Sequence, residues 1–368
     1  MRVLHVITGL ASGGAEQQLR LLLRHQHTPA EVATLTNPGS IARTIQADGT
    51  PVHHIGMRGN TDIAALPRLV RLIRAGRFDL VHTHLYRACV YGRIAARMAG
   101  VRHVVATEHS LGDQHIEGRR ISPGIRRLYL ATERLGKTTI AVSATVASRL
   151  VAWGVPGSRI DVIPNGIEGH RYRFDPVRRA RLRAQLGIAS ERFVVGSVGR
   201  LVPGKRIDLM LHAVRGHPGV SALVVGEGPQ RRALTALAGK LNVDAIFTGE
   251  AMDVPGLLST MDVLVAPSPE ETFGLNVIEA LAAGLPVLYV ACPALDDLPS
   301  GSAPGAHRLP AGPDAIQRAL ATAIQDGPHR LPPPPALDRY DIARVAGQMN
   351  DVYRRMTGVG TTRACEPH

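Results

Sequence analysis

Short runs of β-branched and other apolar residues alternate along the chain with longer stretches whose apolar positions recur every three or four residues. Seven short runs predict strands in the first half: RVLHVIT (2–8), EVATLT (31–36), PVHHI (51–55), DLVHTH (79–84), HVVATEH (103–109), TTIAVS (138–143) and RIDVIP (159–164). Five predict strands in the second: FVVGSVG (193–199), SALVVGE (221–227), DAIFTG (244–249), DVLVAPS (262–268) and PVLYVA (286–291). Segments between them, such as AEQQLRLLLRH (15–25) and IDLMLHAVRG (207–216), have the period of amphipathic helices. Strand and helix in such repeated alternation predict parallel sheets covered by helices on both faces, an α/β fold.

The alternation breaks at NGIEGHRYRFDPVRRARLRAQLG (165–187), a polar, Arg-rich stretch that predicts a junction between two halves of like architecture. Residues 1–168 and 169–337 are the two expected domains. Pro-rich PHRLPPPPALDRYD (328–341) precedes a last helix expected within 338–357, and 358–368 reads as a flexible tail.

A length of 368 residues suits two domains, and a hydrophobic fraction of 45% excludes general disorder. No apolar run reaches the ~18 residues of a membrane span. The N-terminal apolar run, interrupted by His5 and Thr8 before a Gly-rich turn, reads as a strand rather than a signal peptide. Cys89, Cys292 and Cys365 lack metal or redox spacing, which fits a reducing cytoplasm. The formal net charge of +13 fits either solvated Arg-rich helices or an anionic partner, whether nucleic acid, anionic lipid or a phosphorylated small molecule. With aromatics at 4% and no nucleic-acid module, nucleic acid is the weakest of those partners.

Ligands of open parallel sheets bind beyond the carboxyl ends of the strands, and the special residues cluster there. Gly13 and Gly14 follow the first strand at the start of a helix, where free amides can meet an anion. In VGRLVPGKRID, Arg200 and Lys205 flank a Pro-Gly turn and could grip a diphosphate or form a solvated basic turn. LVVGEGPQ repeats the strand-to-glycine design at Gly226 and Gly228. In PSPEETFGLNVIEALAAGLPV (267–287), Glu271 stands at the mouth of a helix and Glu279 inside it.

With SGGAE, VHTH, TEHS, AVS, IPNGIE and FTGE, these motifs run in order over almost the whole chain, which resembles the retaining glycosyltransferases of family 4. The resemblance implies the GT-B fold: two Rossmann-like domains facing a central cleft, the first holding the acceptor, the second the nucleotide-sugar donor, with a C-terminal helix crossing back. It implies that Glu279 bonds the ribose hydroxyls and that Glu271 faces the donor sugar. Backbone around Phe273, Gly274, Leu275 and Asn276 would meet sugar and phosphate, while Arg200 and Lys205 stabilise the departing diphosphate. His109 would lie beside the transferred sugar and Ser110 on the acceptor side.

His82 and His84 alternate on one strand in the manner of a metal site. The sequence shows neither a third ligand at helix spacing nor an Asp-x-Asp motif, so a structural role and metal-free chemistry are expected. Relatives follow GLPV with a Gly-Gly turn and a glutamate. Here LYVACPALDDLPSG stands instead, which leaves the sugar open and Asp296 and Asp297 unassigned.

The stretch 117–137 intersperses Arg119, Arg120, Arg126, Arg127, Arg134 and Lys137 with Ile125, Leu128, Tyr129 and Leu135. It reads as a helix with one apolar and one basic face, and also as a surface for anionic lipid or a phosphorylated acceptor. The expected activity is transfer of a hexose or N-acetylhexosamine from a nucleoside diphosphate sugar, UDP ahead of GDP, to an acceptor hydroxyl. The acceptor would be a glycan, a lipid-linked intermediate or a small natural product, and no cofactor is expected. The expected place is the cytoplasm, with possible peripheral contact at the inner face of the membrane. A nucleotide-sugar 2-epimerase-like isomerase and a non-catalytic membrane- or nucleic-acid-binding protein are the alternatives.

Overall fold

The computed structural model describes residues 1–358 except Ser12, Asn60, Gly118 and Met252; Cys365 and the rest of the expected tail lie outside them, as does the Arg119 side chain. The chain packs as two compact units. Residues 1–166 and the C-terminal segment from Ile342 form the first, and Ile167–Asp341 form the second.

The first unit is built on β1 (Val3–Ile7), β2 (Ala30–Thr34), β3 (Val52–His54), β4 (Leu80–His84) and β5 (His103–Glu108). A two-residue hairpin, β6 (His115–Ile116) with β7 (Arg119–Arg120), precedes β8 (Thr138–Ala141) and β9 (Ile160–Val162). The main sheet has the order β3-β2-β1-β4-β5-β8-β9 and is parallel throughout. Its order reverses between β1 and β4, the place where open α/β sheets leave a crevice at the strand ends. Alternation splits the strands: Leu4, Val6, Val81 and Val104 enter one core, and Val3, Leu80 and Val105 enter the other.

Helices Gly14–His25 and Ile342–Thr357 cover the second of these faces. In the C-terminal helix Ile342, Val345, Ala346, Met349, Val352 and Tyr353 recur at helical spacing and are all buried. Each large apolar side chain among them contributes roughly 1.5–3 kcal/mol, so this helix is part of the first unit's core.

The second unit repeats the plan with β10 (Phe193–Val198), β11 (Val220–Val225), β12 (Ala245–Gly249), β13 (Val263–Ala266), β14 (Val287–Tyr289) and β15 (Ala306–Arg308). The order is β12-β11-β10-β13-β14-β15, again parallel, with the switch between β10 and β13.

The Arg-rich stretch after residue 174 is a helix, Pro176–Gln185, started by proline and capped by Asp175, whose Oδ1 accepts from the amides of Val177 and Arg178 at 2.9 Å each. Arg179 and Arg183 point inward, while Arg181 is exposed. Arg179 and Arg183 share Asp262 at 2.6 and 2.7 Å, and with Arg330 they donate to the carbonyls that end helix Val254–Thr260. Cations at a helix carboxyl end complement its dipole and satisfy orphan carbonyls. Part of the net positive charge is therefore structural.

Candidate active site

In the first unit four histidines run from the middle of the sheet, His5 and His82, to its carboxyl end, His84 and His109. The register pairs His5 on β1 with His82 on β4, so these two and His84 point to one face. All three are buried. His5 Nδ1 lies 3.0 Å from His84 Nε2, and His84 Nδ1 lies 3.3 Å from Nε2 of His109, just beyond β5. Gln26 reaches His5 Nε2 at 3.3 Å, and the Asn165 side chain bonds His109 at the other end. His82 joins Tyr353 Oη and Thr107 Oγ1, each at 2.6 Å.

Burial holds these rings neutral: His5 titrates at about 3, His109 at about 4, and His82 and His84 well below the usual range. Neutral imidazoles in a row must hand one proton in the same direction at every link. If Gln26 donates to His5, then His5 donates to His84 and His84 to His109; reversing one link reverses all.

His5 is the third imidazole that spacing along the chain did not reveal. Ring nitrogens of His5, His82 and His84 lie within 4.8 Å of one another, so these three could hold a metal ion. As arranged, both nitrogens of His82 are engaged by hydroxyls and those of His5 and His84 by neighbouring side chains. A metal would have to break these bonds.

His84, Thr107, His109 and Asn165 line a cavity of about 30 Å³ with Gln18 and residues of the C-terminal helix. Gln18 bonds both the N–H and the carbonyl of Gly166, at 2.8 Å each. Ser110 bonds Glu108 Oε1 through its amide at 3.1 Å and its hydroxyl at 3.4 Å. The other Glu108 oxygen is buried without a hydrogen-bond partner among the described residues, and burial pushes this carboxyl up to about 7. Gly13 caps the first helix in extended conformation and Gly14 opens it, at the carboxyl end of β1.

In the second unit the loops after β10 and β13, neighbours at the switch point, meet. Lys205 Nζ donates to Glu271 Oε1 at 2.5 Å, with the lysine 28% and the glutamate 14% exposed. Ser268 Oγ joins the Gly204 and Glu270 carbonyls at 3.1 and 2.8 Å, and Asn276 Nδ2 donates to the Val198 carbonyl at 3.0 Å. The β10 loop is thus tied to the helix that opens after β13. Arg200 is exposed, and no ion pair of its side chain occurs among the described residues.

Gly274 precedes helix Leu275–Ala282 with φ +96°, and a Cβ there would stand 2.5 Å from Cys292 Sγ. Both facts require glycine. The Phe273 ring is 2% exposed and edge-on to Tyr340 at 5.3 Å, so only its backbone faces the loop.

Gly226 and Gly228 have a packing reason of their own. A Cβ would stand 2.0 Å from the Gly199 carbonyl at the first and 2.5 Å from that of Leu201 at the second. Glu279 lies further along the helix, its Oε1 accepting from Tyr172 Oη at 2.9 Å. Burial pushes its carboxyl up to about 7. Asp296 lies 3.0 Å from Arg308.

The basic stretch 117–137 forms helix Pro123–Glu133, with Tyr129 buried against the Arg93 guanidinium. Arg126 donates to the Ala152 and Trp153 carbonyls at a helix end, while Arg120, Arg127, Arg134 and Lys137 are exposed beside Leu128. No helix among the described residues is long and apolar enough to cross a membrane.

Residues 12–171 match the profile of Glycosyltransferase Family 4, and residues 178–332 that of Glycosyl transferases group 1. A D-inositol 3-phosphate glycosyltransferase of Acidothermus cellulolyticus is 32% identical over 84% of this chain and 68% of its own. A 2-deoxystreptamine glucosyltransferase of Streptomyces kanamyceticus is 26% identical over 80% of this chain and 82% of its own. In fold, Anabaena HepE crystallised with UDP-glucose superposes with a TM-score of 0.84 at 24% identity, over 96% of this chain and 100% of the other. Two parallel Rossmann-like sheets, motifs in family order and these matches together place the chain: it belongs to the family 4 glycosyltransferases, enzymes of the GT-B fold that use nucleotide sugars.

Proposed function

We propose that the protein is a retaining glycosyltransferase that moves a hexose or N-acetylhexosamine from a UDP-sugar to a hydroxyl of a small polyol or glycoconjugate, without a metal. The observation that carries this reading is the joined pair of loops in the second unit. Lys205, with Arg200 on the same loop, meets Glu271 just ahead of the helix start at Gly274, and Glu279 follows on that helix.

Two cations and free helix-start amides supply the positive charge that a departing diphosphate needs, the role a divalent ion fills elsewhere. Glu271, paired to Lys205, is placed to accept from sugar hydroxyls, and Glu279 from the ribose. The second unit is thus the donor side. The first holds the acceptor, with His109 and Ser110 at the strand ends. As a neutral ring, His109 can bond a sugar hydroxyl without adding charge. The leaving phosphate takes the acceptor proton on the same face, which retains the anomeric configuration.

The named substrates of the relatives, inositol 3-phosphate and 2-deoxystreptamine, support a small cyclic polyol as acceptor. The UDP-glucose held by HepE supports the uridine donor. Enzyme incubated with UDP-glucose or UDP-N-acetylglucosamine and either polyol should release UDP and give an α-linked product by NMR. An inverted linkage, or an epimerised donor with no transfer, contradicts the reading.

A further inference from the structure

We propose that Tyr172 is a positioning residue for Glu279: its hydroxyl holds one carboxylate oxygen and leaves the other for the ribose hydroxyls of the donor. This inference rests on the reading of Glu279 as the ribose contact. The two residues are 107 positions apart, and their hydrogen bond of 2.9 Å runs from Tyr172 Oη to Glu279 Oε1. No partner of Oε2 and no cation paired with Glu279 occurs among the described residues.

The position of Tyr172 is fixed from both sides. It ends the short turn Gly169–Tyr172, which packs on helix Leu275–Ala282. Before it, the Ile167 amide bonds the Tyr340 carbonyl at 2.7 Å and Arg171 pairs with Glu168 at 2.7 Å. After it, Phe174 lies under the Arg330 guanidinium at 4.4 Å. The hydroxyl therefore reaches Glu279 from a held turn.

The direction of the bond follows from chemistry. Burial raises the Tyr172 phenol above its ordinary range, so it stays protonated and donates. A carboxylate needs both oxygens as acceptors to serve one phenol and a diol. A protonated carboxyl loses an acceptor to its own O–H. Burial already favours that protonated form, and the nearby Arg171 pairs with Glu168 rather than with Glu279. The phenol is the group on the packed turn that counters it.

The test is calorimetric titration of the full chain and of Tyr172→Phe with UDP and GDP and with their 2′,3′-dideoxy counterparts, between pH 6 and pH 8.5. The substitution keeps the ring, and circular dichroism and a thermal melt check that the fold is kept. The expected result has three parts. The unaltered chain prefers the ribonucleotide over the dideoxy form. Tyr172→Phe binds the ribonucleotide about five- to tenfold more weakly and loses most of the preference. The pH at which ribonucleotide affinity reaches half its plateau moves up in the variant, because the carboxylate is the binding form. Unchanged affinity and preference in Tyr172→Phe overturn the inference and leave Glu279 as the ribose contact. Tighter binding by the variant marks the phenol as a competitor of the ribose and also overturns it. If the unaltered chain binds neither nucleotide, or does not distinguish the dideoxy forms, the reading of Glu279 fails and the inference falls with it.

Discussion

In the first sheet three imidazoles, His5, His84 and His109, bond along a line toward the carboxyl end with His82 beside them, all uncharged, whereas at the carboxyl end of the second an arginine, a lysine and a glutamate stay near water. Both groups occupy a topological switch point, so the fold alone does not set their character. The partners do. A hydroxyl acceptor asks for neutral, well-aimed hydrogen bonds; a diphosphate asks for charge that is not already neutralised. The first region spends its bonds on its own residues, and the second keeps charge in reserve at Arg200.

Removing a cation from the β10 loop should have the largest effect. Lys205→Ala is expected to lower turnover about 10²- to 10³-fold, with the more exposed Arg200→Ala lowering it less, in an assay of UDP release. Full activity in Lys205→Ala would place the catalytic charge elsewhere.

Acid should separate the two regions next. A buried histidine whose folded pKa lies below the unfolded value stabilises fully above about pH 6.5 and loses that contribution as pH falls, by up to about 1.4 kcal/mol per pH unit for each ring. Four such rings lie in the first unit. Glu108 there runs the other way, as does Glu279 in the second unit: a raised carboxyl contributes fully below about 4.5 and loses it as pH rises to about 7. The histidines outnumber Glu108, so the first unit should lose stability between pH 6.5 and 5 while the second does not. The chain's single tryptophan, Trp153, belongs to the first unit and reports on it by fluorescence, with hydrogen exchange following both. Equal acid sensitivity of the units would mean that the histidines are not held neutral.

Smaller changes sharpen the donor side. Gly274→Ala puts a side chain at φ +96° against Cys292, and is expected to weaken UDP binding about tenfold through a displaced helix start. Wild-type affinity would show that the Gly274 backbone does not meet the nucleotide. On the opposite unit, Arg127→Gln is expected to lower co-sedimentation with anionic vesicles about fivefold. An unchanged bound fraction would leave that helix face merely solvated.

Much of this was legible before any coordinates. All twelve strands read from apolar runs occur; the central ones, such as β1, β4 and β11, are buried along their whole length. The missed strands are β15, Ala-His-Arg, and the two-residue hairpin, too short and polar to leave a pattern. The loop residues Arg200, Lys205 and Glu271 are legible as candidates because their motifs are local in sequence. His5 and Tyr172 were not, because each acquires meaning from a partner far along the chain: His82 through strand register, Glu279 through a packed turn. At Phe273 the motif points to the backbone alone, and the ring itself packs in the core.

Titration of UDP and of uridine into the wild-type chain and the Arg200→Ala/Lys205→Ala double variant isolates the diphosphate. The account predicts that wild type binds UDP at least ~100-fold more tightly than uridine and that the double variant loses nearly all of that difference while keeping its affinity for uridine. A double variant that still prefers UDP by the full margin would contradict it.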